Sequence, residues 1–341
     1  MTELVAYLHG RHEWQVENIP GERLTMLNYA FAKLNGVAIA DNVPNIDRIP
    51  AIKAAYPELK INISIGGWAA EDFSDAVATA ANRERLAANI VKFVQDYQFD
   101  GVDLDWEYPG VDLSGIKATP QDAQNFEAFL QELRRQLDAV SKAYIISAAV
   151  GADQELLAAM AVNGEYGYAA YLDYVNVMSY DLRGSWTEYT GHQANLFSYS
   201  SIDGALSADQ AVQDLLQHGV TAEKIVVGAA AYSRDWVGSD EPSLPNALHR
   251  HAQSVGSQTT PYLDLKPLIA DQPEHYFWDE TAQAPYYFDG QTFRSFDDPR
   301  SLRAKADYVK HQNLGGLMLW ELSLDPTADL IKAAHDQLNQ S

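Results

Sequence analysis

A chain of 341 residues with 47% hydrophobic content has ample material for a large core, as one domain with an insertion or as two domains. Its formal charge of −23 is scattered along the chain and leaves no basic patch for phosphates, which speaks against a nucleic-acid partner. With no cysteine there is no disulfide and no thiolate metal site, and no apolar run approaches the ~18 residues of a membrane span.

Short apolar strands alternate with longer amphipathic helices. Strands are expected at 4–8 and 24–32, then a helix at 47–56 and a strand at 59–65 ending in Gly66-Gly67-Trp68. Leu86, Ile90, Phe93, Val94 and Tyr97 recur at helical spacing before an acidic fourth strand centred on 102–106. Thr119, with Pro120 next and Asp122 three later, predicts a capped helix start, and Phe126, Phe129, Leu130, Leu133 and Leu137 form that helix's apolar stripe. A fifth strand at 144–150, a short helix at 154–162 and a sixth strand at 174–178 follow, the last closing on Ser179-Tyr180-Asp181. Ser207 and Gln210 predict a capping box. The seventh strand is expected at 225–230 and the eighth at 317–320, behind a helix capped by Asp298-Pro299. A last helix is expected from Asp325-Pro326 to about residue 338.

Eight such repeats predict an α/β fold, a (β/α)8 TIM barrel. A doubly wound open sheet is the alternative, but no Gly-rich dinucleotide loop supports it. The stretch 234–288 is too long for a structureless loop and reads as a small α+β insertion, leaving 1–233 and 289–341 for the barrel. Trp236, Trp278, Tyr286 and Tyr287 within it are either its own core or a groove wall.

The fourth strand carries the chemistry. Side chains alternate faces along a strand, so Asp103, Asp105 and Glu107 share one face about 7 Å apart, with Val102, Leu104 and Trp106 on the other. A solvated acidic edge strand fits poorly, because helices predicted on both sides imply a covered strand. A Ca²⁺ or Mg²⁺ site would need a loop of further oxygen ligands. Acid catalysis, in which neighbouring carboxylates keep one of their number protonated, is the reading we favour. In a barrel, chemistry sits at the strands' C-terminal ends, and Glu107, Tyr180, Asp181, Tyr232, Arg234 and Trp320 all fall there.

These residues resemble the family 18 glycoside hydrolases, the chitinases. Asp100, Asp103, Asp105 and Glu107 match the family's Asp-x-x-Asp-x-Asp-x-Glu signature. Ser64-Ile65-Gly66-Gly67, Met178-Ser179-Tyr180-Asp181, Tyr232-Ser233-Arg234 and Trp320 resemble its motifs on strands three, six, seven and eight, and 234–288 resembles its insertion domain. One departure is Ala229-Ala230-Ala231, where relatives often carry Gly-x-Pro.

The resemblance implies the following roles. Glu107 is the general acid. Asp105 raises its proton affinity and turns towards the substrate's acetamido N–H, and Asp103 shares a proton with Asp105. Tyr180 donates to the acetamido carbonyl, whose oxygen is the nucleophile, and Met178 lies beneath the methyl. Asp181 bonds a sugar hydroxyl or positions Asp105's partners. Trp320 forms the sugar floor, Tyr7, Phe31 and Trp68 are wall candidates, and Arg234 bonds a sugar on the leaving side. Gly67, Tyr108 and Tyr232 complete the contact set, and Asp100 fixes the strand start. The implied partner is chitin or a chitooligosaccharide, with no metal or organic cofactor, no membrane and a monomeric chain. Nothing at Met1-Thr2-Glu3 resembles a secretion signal, although a polymeric substrate implies an extracellular location. The alternatives are an endo-β-N-acetylglucosaminidase acting on N-glycans or peptidoglycan, and a chitin-binding lectin, which an intact Glu107 argues against.

Overall fold

The computed structural model describes residues 2–199, 206–238, 248–252 and 258–340. Eight parallel strands close into a barrel. They are Glu3–His9, Met26–Ala32, Lys60–Gly66, Gly101–Asp105, Ile145–Gly151, Tyr174–Met178, Ile225–Ala230 and Gly316–Trp320. Each pairs with its successor, and the eighth returns to the first with Leu317 opposite Leu4.

The period-two pattern decides which side chains enter the barrel. Leu4, Ala6 and Leu8 pack outward beneath the helices, while Val5 and Tyr7 point inward. On strand four, Val102 and Leu104 join the outer layer with Trp106, which stacks on Phe73 at 5.3 Å and meets Phe126 edge-on at 5.7 Å. Helix Asp122–Val140 buries Phe126, Phe129, Leu130, Leu133 and Leu137 against this layer, each worth about 2 kcal/mol of apolar transfer. Helix Ala80–Asp96 buries Leu86, Ile90, Phe93 and Val94. Tyr97 is exposed, because it caps that helix's C-terminus instead of continuing the stripe.

Two helices start later than expected, for the same reason. Thr119 is not a cap: its N–H and hydroxyl donate to the Asp122 carboxylate at 2.8 and 2.7 Å. Asp122 also accepts from Ser74 Oγ, so the turn is organised around this buried carboxylate and the helix begins at it. Likewise Asp325 accepts the Leu330 N–H at 2.9 Å, and the last helix is Asp329–Leu338. Ser207 caps its helix by accepting from Gln210 N, while Asp298 and Ser301 complete a reciprocal box.

Between strands seven and eight lies a five-stranded antiparallel sheet, ordered Thr259–Pro261, Tyr232–Val237, Thr292–Ser295, Ala284–Phe288, Tyr276–Asp279, with helix Tyr262–Asp271. It draws in residues on both sides of 234–288, because Tyr232 pairs with Pro261 and Val237 with Thr292. Within 234–288, residues 239–247 and 253–257 lie outside the described residues. Trp236, Tyr286 and Tyr287 are core residues of this sheet, and Trp278 carries the Arg300 guanidinium 3.9 Å from its ring. The fully buried Lys305–Asp297 pair fastens helix Pro299–His311 to strand seven, with Lys305 donating to Gly228 O and Asp297 accepting from Ala230 N. Among the described residues no helix is long and apolar enough to cross a membrane.

Candidate active site

Asp103 sits wholly buried inside the barrel and collects donors from four other strands. Tyr7 Oη and Ser64 Oγ donate to Oδ2 at 3.0 and 2.7 Å, and Ser147 Oγ and Asn176 Nδ2 donate to Oδ1 at 2.6 and 3.1 Å. Burial pushes its carboxyl above the usual carboxylate range, and these bonds pull it back. It makes no hydrogen bond to Asp105 among the described contacts, and it does not line the cleft.

Two residues on, Asp105 reaches the C-terminal mouth. Its Oδ1 is buried without a hydrogen-bond partner among the described residues. Burial first, then repulsion from Glu107 and Asp103, holds its carboxyl well above the ordinary range, while the Lys33 ammonium opposes them. Glu107 retains some exposure to the cleft, yet protein surrounds it on most sides, and this desolvation pushes it up to about 7. Two such carboxyls titrate as a unit that can retain a proton near neutral pH.

Strand three ends close against them. The Gly67 N–H donates to the Asp105 carbonyl at 2.8 Å, and a Cβ on Gly66 would lie 1.9 Å from that oxygen. Gly67, expected among the substrate contacts, does not line the cleft. Its missing side chain leaves room for Phe31, whose ring a Cβ would meet at 2.7 Å.

Tyr180 and Tyr232 share the cleft with the acid, their rings edge-to-face at 6.5 Å. Among the described residues Tyr180 Oη has one hydrogen-bond contact, Met318 Sδ at 4.0 Å, and burial holds its proton firmly. Asp181, with a left-handed φ of 55°, accepts Tyr232 Oη at 2.8 Å and a two-pronged bond from Arg234 Nε and Nη2, both at 2.6 Å. Arg234 therefore serves Asp181 as well as facing the cleft. Asp100 bonds Lys53 Nζ and Ile61 N at the strand's other end.

These groups open into one cleft of about 1270 Å³, above the size of ordinary small-molecule pockets. Tyr7, Phe31, Trp68, Tyr108, Met178, Asp181, Tyr232, Arg234 and Trp320 all line it with Asp105, Glu107 and Tyr180. Phe31 stacks on Trp320 at 5.5 Å, and Tyr7 meets Trp320 edge-on at 5.4 Å. The peptides Ala30–Phe31, Glu107–Tyr108 and Trp320–Glu321 are cis. Where relatives often carry Gly-x-Pro, the Ala231 N–H donates to the Trp320 carbonyl at 2.8 Å, a bond proline could not make.

Reading by motif missed Trp186, His9, Arg11 and Lys33, which also line the cleft. Trp186 is 52% exposed and lies 4.9 Å from the Arg234 guanidinium. Its place five residues after Asp181, in the loop following strand six, was the available signal. Among the described residues no cluster of three or more His, Asp or Glu side chains could hold a metal ion.

Known proteins resemble this chain in sequence and in fold. The glycosyl hydrolases of family 18 match residues 3–325. Chitinase A1 of Niallia circulans is 37% identical over 82% of this chain, which spans 43% of that protein's length. Chitotriosidase-1 of Mus musculus is 31% identical over 95% of this chain and 73% of its own. An N-acetylglucosaminidase of glycoside hydrolase family 18 from Paenibacillus barengoltzii superposes with a TM-score of 0.90 at 37% identity, over 99% of this chain and 100% of that one. The chain belongs to the glycosyl hydrolases of family 18.

Proposed function

We propose that this chain is a chitinase, hydrolysing β-1,4 links between N-acetylglucosamine units with retention of configuration. The observation that carries the reading is the carboxyl of Glu107, pushed up to about 7 in a sugar-sized groove that it shares with Asp105 and Tyr180. Asp105 stands on the acid's own strand, and Asp181 is committed to Arg234 and Tyr232.

The nucleophile then comes from the substrate. The acetamido oxygen attacks C1 as Glu107 gives its proton to the departing glycosidic oxygen, and the C1–O bond breaks. Tyr180 Oη holds the acetamido carbonyl for attack, and anionic Asp105 stabilises the N–H of the oxazolinium ion. Glu107, now a carboxylate, takes a proton from water, which adds at C1 and reopens the ring. Two inversions leave the β configuration. Trp320 and Phe31 supply apolar faces to the sugar undergoing this change.

A second reading, an N-acetylglucosaminidase, is favoured by the Paenibacillus enzyme, which aligns end to end with this chain. Both readings share the chemistry and differ in product. NMR of the first anomer released from chitohexaose, beside a cellohexaose control, tests the mechanism, and the product lengths separate the readings. Release of the α anomer, or cellohexaose cleavage at a comparable rate, would overturn both.

A further inference from the structure

The catalytic carboxyls sit in a strongly acidic chain, and the neighbouring charges differ in how they are committed. Asp103, on their own strand, is held by four neutral donors and still repels Asp105. Asp181, from the end of strand six, is bonded by the two-pronged Arg234, and its charge still pushes Glu107 up. Tyr7, Tyr108, Tyr180 and Tyr232 all keep their protons, each held well above its ordinary range with burial as the largest cause. Lys33, just past the end of strand two, is different. Its half-buried ammonium donates to the Gly66 carbonyl at 2.5 Å and lies 5.3 Å from the centre of the Phe31 ring. Among the described residues it makes no ion pair.

Gly66 is the register partner of Asp105 in the pairing of strands three and four. The Lys33–Gly66 bond therefore tethers a positive charge beside the carboxyls without spending it on one of them. Among the described residues Asp105 Oδ1 has no hydrogen-bond partner, so its ionisation answers to nearby charge more than to donors. We propose that Lys33 is the fixed cation of the acid pair: it sets how many protons Asp105 and Glu107 hold between them, and so where on the pH axis the site works. Lys33 acts through the carboxyls, as a positioning residue for the proton. It is outside every motif that marks the site, and the inference rests on the proposed acid role of Glu107.

The electrostatics agree in both directions. The Lys33 charge pulls Asp105 and Glu107 down against burial, and the two carboxyls pull Lys33 up against its own burial. Arg11, also in the cleft lining, works against Lys33 holding its charge, and His9 on strand one feels that charge. The pair passes through states with two protons, one and none, of which the one-proton state is competent. A nearby cation favours each proton loss, so removing it moves both steps to higher pH by about half a unit or more.

The test compares wild type with Lys33→Gln, which keeps a donor for Gly66 O, and with Lys33→Met and Lys33→Arg. In kcat/KM profiles on chitopentaose, both limbs should move to higher pH in the Gln and Met variants, and Arg should restore the wild-type position. A merely structural lysine would lower the profile without moving it, and that result in Lys33→Gln overturns the proposal. If Lys33→Met fails to fold, Lys33→Gln decides. A second readout needs no substrate: the Glu107 carboxyl, ¹³C-labelled and assigned by its loss in Glu107→Gln, is titrated by NMR. Its midpoint should rise in Lys33→Gln, and an unchanged midpoint overturns the proposal. A wild type inert on chitopentaose would sink the chitinase reading, while the NMR titration would still decide the part played by Lys33.

Discussion

Asp103 and Asp105 stand two residues apart on one strand, one bonded by four donors and the other with a buried oxygen that has none among the described residues. This contrast predicts opposite consequences for the same substitution. Asp103→Asn replaces an acceptor of four bonds with a group that must donate into the same cage, and it should cost about 2 kcal/mol or more. Asp105→Asn removes a poorly solvated charge and should leave stability within about 1 kcal/mol of wild type, or raise it at neutral pH. Turnover should fall in both, and the pH profile should move in Asp105→Asn. Urea unfolding at pH 7 with parallel kinetics checks this, and the reverse order of stabilities would contradict it.

Glu107→Gln should reduce hydrolysis by ~10²-fold or more while leaving oligosaccharide binding within about tenfold, because only the proton is lost. It should also change stability with pH. A carboxyl raised to about 7 contributes stability that is fully present below its unfolded value and is lost as pH rises through about 7. At pH 8 wild type therefore carries a charge that the fold disfavours, and the Gln variant does not. Relative to pH 4, the variant should gain roughly 2 kcal/mol on wild type at pH 8, after allowance for the solvent reaching Glu107. Thermal unfolding at the two pH values measures the difference.

Tyr180 offers a hydroxyl whose one hydrogen-bond contact among the described residues is a methionine sulfur at 4.0 Å, so it is available to a substrate carbonyl. Tyr180→Phe should lower kcat about 10²-fold and change KM by less than about threefold. Gly228→Ala reaches the same ring from behind, since its Cβ would lie 2.9 Å from Tyr180 Cε1 and 2.4 Å from Val177 O. It should lower kcat and cost about 1–3 kcal/mol of stability. A Tyr180→Phe enzyme with unaltered kcat would remove Tyr180 from the reaction.

Trp186 and Trp68, 52% and 57% exposed in the cleft, contribute little to the core. Stacking on a sugar is worth about 1–1.5 kcal/mol, so Trp186→Ala should raise KM for long oligosaccharides about tenfold and leave melting unchanged. Kinetics on chitobiose and chitohexaose side by side provide the check.

Much of this was legible in residue order, because the relevant physics is local. The period-two row of Asp103, Asp105 and Glu107 requires no partner strand to place three carboxylates on one face. The rule that barrel chemistry gathers at strand ends then brought Tyr180, Asp181, Arg234 and Trp320 to the same mouth before any contact was known. The buried stripe from Phe126 to Leu137 was readable for the same reason. Helix starts at Asp122 and Asp329 were misjudged where a carboxylate bonds back into the turn, a choice that spacing alone does not reveal.

What only the tertiary structure decided are relationships across the barrel. The four donors to Asp103 come from strands one, three, five and six, and their meeting depends on the closure and stagger of the sheet. Gly67 proved to be room for Phe31, and Arg234 the clamp of Asp181, because each depends on a residue 36 or 53 positions away. Lys33 belongs to no motif and follows an ordinary strand. It matters because the parallel register sets Gly66 beside Asp105, and a charge tethered to one is held near the other.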